Sequence, residues 1–78
     1  MADIEMTGAW LAVAEGEGNA TIEALNANIR WFVAAATPTT AGFTAPPNRA
    51  VSLALAAGET LYLRGNGTAV VLADNPPT

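Results

Sequence analysis

Residues 58–74 read GETLYLRGNGTAVVLAD, two apolar runs on either side of the triplet Gly65-Asn66-Gly67. Before the triplet Leu61 and Leu63 alternate with Tyr62 and Arg64; after it Val70 and Leu72 alternate with Ala69 and Val71. A period of two is the strand signal. Asparagine–glycine between two such runs is the strongest short hairpin signal, because both central residues of a type I′ turn need positive φ. The stretch therefore predicts a hairpin turning at Gly65-Asn66-Gly67, and with it a β protein.

The same pattern extends upstream. In VSLAL, Val51, Leu53 and Leu55 point one way and Ser52 and Ala54 the other, and the AAGE that follows reads as a turn. Near the start, Trp10, Ala12 and Ala14 alternate with Leu11 and Val13, and Ile22 and Ala24 alternate with Thr21 and Glu23. Glycine-rich Glu15-Gly16-Glu17-Gly18-Asn19 lies between these runs with the length of a hairpin connection. Asn26-Ala27-Asn28 suits a second turn, since asparagine tolerates the left-handed region. IRWFVAAA then sets Ile29, Trp31 and Val33 on one face and Arg30 and Phe32 on the other. A helix over residues 20–36 is the competing reading, because alanine is the best helix former; the mid-segment asparagines and the β-branched and aromatic residues favour strands.

The expected fold class is all-β: a small antiparallel β-sandwich or barrel of about six short strands, with turn signals at the spacing such folds show. Residues 1–7 read as an N-terminal arm, either mobile or a short edge strand. Residues 8–73 read as the β domain and 74–78 as a polar, proline-terminated tail. Residues 37–50 form the one long loop, where Pro38, Pro46 and Pro47 remove ladder donors and fix φ. Phe43, in the middle of that loop, either folds back on the core or projects toward a neighbouring chain.

Composition narrows the chemistry. The chain has 78 residues and no histidine, cysteine or lysine. Without cysteine there are no disulfides, iron–sulfur clusters or thiolate metal sites; without histidine the commonest metal ligand and neutral-pH proton carrier is missing. A domain this short buries only about 60 % of its unfolded surface, so association with other chains is the expected compensation. Only 13 % of residues are charged and 51 % are hydrophobic, which predicts apolar surface left over for an interaction. The net charge of −4 sets seven acids against Arg30, Arg49 and Arg64, a poor footprint for nucleic acid or an anionic membrane. MADIEMTGAW carries acids where a signal peptide needs positive charge, which predicts a protein made in a bacterial-type cytoplasm. The longest apolar run, WFVAAA, falls far short of the roughly 20 residues that span a bilayer.

Candidate catalytic groups fare poorly. Glu15, Glu17 and Glu23 offer too few oxygens at the wrong spacing for a calcium loop, and a solvated turn explains them. Thr7, Thr21, Ser52, Thr60 and Thr68 have no histidine or lysine base to activate them. GNGT lacks the lysine of a phosphate-binding loop. The expectation is therefore no enzyme, no cofactor and no metal. Exposed aromatics such as Trp10, Phe32 or Tyr62 suit sugar stacking, the basis of a carbohydrate-binding module reading. The preferred alternative places Arg30, Phe32, Tyr62 and Arg64 together on one outer face if their strands are neighbours. With Phe43 these are the candidate interface residues, since tyrosine and arginine often anchor protein contacts.

The order WLAVAEGEGNATIEALNANIRWFVAAATP, then a proline-containing loop, then LAAGETLYLRGNGTAVV, resembles small β-rich structural proteins of tailed bacteriophage virions. The resemblance covers residues 8–72 and transfers no catalytic or ligand residue. It implies a virion subunit: a capsid decoration or stabilising protein binding the major capsid protein and its own copies, or else a tail, baseplate or fibre component. A homo-oligomer is expected, a trimer being a natural choice on a capsid lattice.

Overall fold

The computed structural model describes residues 2–25, 29–39, 42–45 and 48–75. Thr60–Ala73 is a single strand of 14 residues, and the rest of the fold is arranged around it. Numbered in chain order the strands are β1 (Ala2–Thr7), β2 (Leu11–Glu15), β3 (Gly18–Leu25), β4 (Ile29–Ala34), β5 (Phe43–Ala45), β6 (Ala50–Leu55) and β7 (Thr60–Ala73). All pairings are antiparallel, and the seven strands form one curled sheet, a half-barrel. The all-β class is as expected, with seven strands in place of about six.

The Gly65-Asn66-Gly67 hairpin is not there. The two flanks of the triplet do not pair with each other, because both edges of both flanks are already occupied. Residues 60–63 pair with β2 and residues 60–65 with β4, while residues 66–71 pair with β1 and 68–73 with β3. One half-sheet is thus β2-β7-β4-β5 and the other β1-β7-β3-β6, with β7 central in each. A straight 14-residue strand would be about 46 Å long. The longest dimension of the molecule is 31 Å, so β7 has to bend. Glu15 N–H donates to the Asn75 carbonyl at 2.8 Å and Gly16 N–H to the Glu59 carbonyl at 2.7 Å, which brings the two ends of the strand together.

The bend explains the glycines better than a turn does. Leu61, Leu63, Ala69 and Val71 are buried, so odd-numbered positions of β7 face inward on both sides of the bend. Gly65 and Gly67 carry that parity through the crease, where the two half-sheets meet. Their φ values, 144° and 89°, both disfavour L side chains. Glycine at a corner where a strand passes between sheets is a known device.

Other expectations change for the same reason. Residues 15–19 form a crossing from one half-sheet to the other and not a hairpin, since β2 pairs with β7 while β3 pairs with β6 and β7. The turn expected at Asn26-Ala27-Asn28 lies outside the described residues. The long loop at 37–50 is interrupted by β5, which pairs with β4, and β6 begins at Ala50. Residues 2–7 are strand β1, paired along β7 from Ala2↔Val71 to Thr7↔Asn66. The start of the tail is tied down: Asn19 N–H donates to Asp74 Oδ2 at 3.0 Å, and Asn75 Nδ2 donates to the Glu17 carbonyl. At residues 56–59 the expected turn is present. Glu59 N–H donates to the Ala56 carbonyl at 3.1 Å, and the Glu59 carboxylate accepts from Ala56 N–H at 2.7 Å.

The core lies between the half-sheets. Ile22, Ile29, Leu61 and Leu63 are its largest fully buried side chains, with Met6, Val13, Leu55 and Val71 around them. Alanines 14, 20, 24, 45 and 69 fill the remaining inward positions, allowing the sheets to approach closely. No buried polar side chain is found among the described residues. The accessible surface, 4469 Å², matches the roughly 4,400 Å² of an ordinary monomer of this mass. Among the described residues the exposed large hydrophobic side chains are Leu11, Leu25, Phe43 and Leu72.

Candidate functional site

The β4–β7 ladder builds the site. Its register sets Ile29 against Gly65, Arg30 against Arg64, Trp31 against Leu63, Phe32 against Tyr62 and Val33 against Leu61. Directly opposed residues share a face of the sheet. Ile29, Leu61 and Leu63 are buried, and Trp31 and Val33 pack against the core. The alternate positions, Arg30, Phe32, Tyr62 and Arg64, therefore make two adjacent rungs on the outer face. The pairing of β4 with β7, on which this face depends, is present.

Phe43 joins the face from the edge. In register it opposes Trp31, and its ring centroid lies 5.0 Å from that of Trp31 and 5.8 Å from that of Phe32. Trp31 and Phe32 sit on opposite sides of β4, so Phe43 wraps the rim of the half-sheet while staying 56 % exposed. Of the two roles expected for it, it combines parts of both: it packs on the molecule and still presents a ring outward.

Trp10 belongs to this face as well. Its indole ring has the Arg64 guanidinium carbon 5.5 Å from the centroid, a cation–π distance. At its far end the ring reaches Gly42: a Cβ there would lie 2.6 Å from Trp10 Cη2 and 2.8 Å from the Trp31 carbonyl oxygen. For the alternative in which Trp10 stacks on a sugar, one ring face is already occupied by the cation. The register shift between Ala12 and Ala14 leaves Val13 and Ala14 both buried, so Ala14 leaves the face that alternation gives it with Trp10 and Ala12.

Beside the arginine rung the bend of β7 opens a cleft of about 600 Å³ lined by Gly8, Ile29, Arg30, Thr44, Arg64, Gly65 and Asn66. Gly8 N–H donates to the Gly65 carbonyl at 3.0 Å and marks where β1 leaves β7. The opposite half-sheet differs in character: its outer positions include Thr21, Ser52, Glu5, Glu23 and Leu72, with Thr21 and Ser52 hydroxyls 3.1 Å apart. Among the described residues, no group of three or more His, Cys, Asp or Glu is placed to hold a metal ion. No helix there is long and apolar enough to cross a membrane.

The chain matches no protein-family model, and no curated protein or solved structure matches it. Geometry and chemistry alone describe the site: an aromatic and cationic outer face on one half-sheet, bounded by a cleft at the strand bend.

Proposed function

We propose that this chain is a structural subunit of a tailed-bacteriophage virion, a decoration or stabilising protein that binds the major capsid protein and its own copies. The observation that carries the reading is the pair of adjacent rungs Phe32–Tyr62 and Arg30–Arg64 on one open sheet face. Aromatic and arginine side chains clustered this way resemble the anchors of protein interfaces. The edge strands add to it, since β1, β2, β5 and β6 each pair on one side only among the described residues. An exposed edge is a template for pairing with another chain. The resemblance of residues 8–72 to phage structural proteins supplies the setting, and capsid is preferred to tail because a small symmetric oligomer suits a shell lattice.

The test is the solution mass at micromolar concentration, measured beside binding to phage shells lacking the protein. Several chains per particle and saturable shell binding are expected. A monomer that ignores shells, and whose tryptophan fluorescence responds to oligosaccharide, would replace this reading with the carbohydrate-module one.

A further inference from the structure

Arg30 and Arg64 are the most unusual pair in the molecule. Like charges directly opposed across a ladder are destabilising, and a chain with seven acids and three arginines places two of those arginines on one rung. Among the described residues neither is matched by a carboxylate, and Trp10 on Arg64 is their one charge-related contact. The rung lies in the cleft where β7 bends, which Gly65 and Thr44 also line. An arrangement that costs folding energy and is left uncompensated within the chain fits a site completed by an anion from outside.

We propose that this cleft is a carboxylate site, taking a carboxylate carried on an apolar or aromatic stem. Guanidinium groups offer paired donors that match the two oxygens of a carboxylate. The next rung, Phe32–Tyr62, lies two residues along each strand, about 7 Å away, and offers an aromatic floor for the stem. The net charge of −4 opposes polyanions such as nucleic acid at long range, whereas one carboxylate is met locally by two cations. The ligand is either a free aryl or alkyl carboxylic acid or the side-chain carboxylate of a neighbouring subunit. Glu5 and Glu23, on the outer side of the opposite half-sheet, make a second copy of this chain a suitable donor.

The test is a titration of the ¹⁵N-labelled protein with 3-phenylpropionate, acetate and inorganic phosphate, at ionic strength held constant with chloride. The expected result is saturable movement of the Arg30 and Arg64 Nε–H signals and of the Gly65 and Asn66 amides, tighter for 3-phenylpropionate than for acetate. Arg30→Gln should weaken 3-phenylpropionate roughly tenfold, the loss of one charge-assisted contact, with an unchanged far-UV spectrum. Tyr62→Ala should erase the preference over acetate. No saturable shift, identical binding by Arg30→Gln, or phosphate binding tenfold more tightly than 3-phenylpropionate would overturn the assignment. The solution mass of Arg30→Gln separates the sources: a lower mass means that a second copy supplies the carboxylate, and an unchanged mass with weakened binding means a free acid. The titration is run below the concentration at which the chain associates, where no neighbour's carboxylate fills the cleft, so the site stands or falls separately from the virion reading.

Discussion

Phe32 stands directly opposite Tyr62 across the β4–β7 ladder, on the face turned away from the core. Two aromatic rings on one outer rung contribute less to the isolated molecule than two inside it, because part of their area stays in water. Their value lies in what can cover them. The inward rungs on either side, Trp31–Leu63 and Val33–Leu61, hold this geometry in place.

Those inward rungs set the stability. Leu63 is fully buried and meets both β2 and β4. Leu63→Ala should destabilise the fold by about 2–5 kcal/mol, the range for a truncated core leucine. Chemical denaturation followed by tryptophan fluorescence measures it. A loss under about 1 kcal/mol, below the usual cost of such a truncation, would mean that the half-sheets are not packed as described.

The crease gives a second prediction. Gly67→Val puts a branched side chain where φ is 89°. It should destabilise by about 2 kcal/mol or more, since an L residue is strained there before any clash. Asn66→Ser, at the exposed position between the glycines, should change stability by less than about 0.5 kcal/mol. A type I′ hairpin would be hurt by both substitutions, so the contrast distinguishes a bend from a turn.

That distinction marks how far the sequence can be read. Alternation separates the two faces of β3, β4, β6 and both halves of β7, because burial on one face of a sheet leaves a period of two. In the second half of β7 it does not say which face is inward, and the structure buries Ala69 and Val71 while Leu72 is exposed. What it does not show is pairing. Glycine-rich triplets signal a change of direction, and whether the flanks then meet edge to edge or face to face depends on strands distant in the chain. Residues 15–19 and 65–67 both read as hairpins for this reason, and both are passages between half-sheets. Alternation also defines the outer face of Arg30, Phe32, Tyr62 and Arg64, and the register brings it together. Ala14 leaves the face that alternation gives it with Trp10 and Ala12, because the register of β2 shifts between Ala12 and Ala14. The cleft escapes because it lies where β7 bends, and that bend follows from pairings with strands distant in the chain.

Gly42 tests the packing of Trp10. Its φ is 75°, and a methyl group placed there would sit 2.6 Å from Trp10 Cη2. Gly42→Ala should therefore cost about 2 kcal/mol. In a Trp10→Ala background the same substitution should cost at least about 0.5 kcal/mol less, since neighbouring residues are not additive. Equal losses in the two backgrounds would mean that the indole does not lie on Gly42.

Because β7 follows the other six strands and partners β1, β2, β3 and β4, little can form before it is made. A chain ending at Ala57 should show no cooperative thermal transition. One ending after Asn75, which keeps β7 and the contacts of Asp74 and Asn75, should retain the transition. A folded 1–57 fragment would contradict the central position of β7.

The most direct measurement for the account as a whole is the solution mass of the intact protein beside that of the Tyr62→Ala, Arg64→Ala double variant, at equal micromolar concentration. The account predicts a small closed oligomer for the first and a smaller species for the second, with matching far-UV spectra. A monomer in both cases, or the same oligomer in both, would contradict assembly through this face.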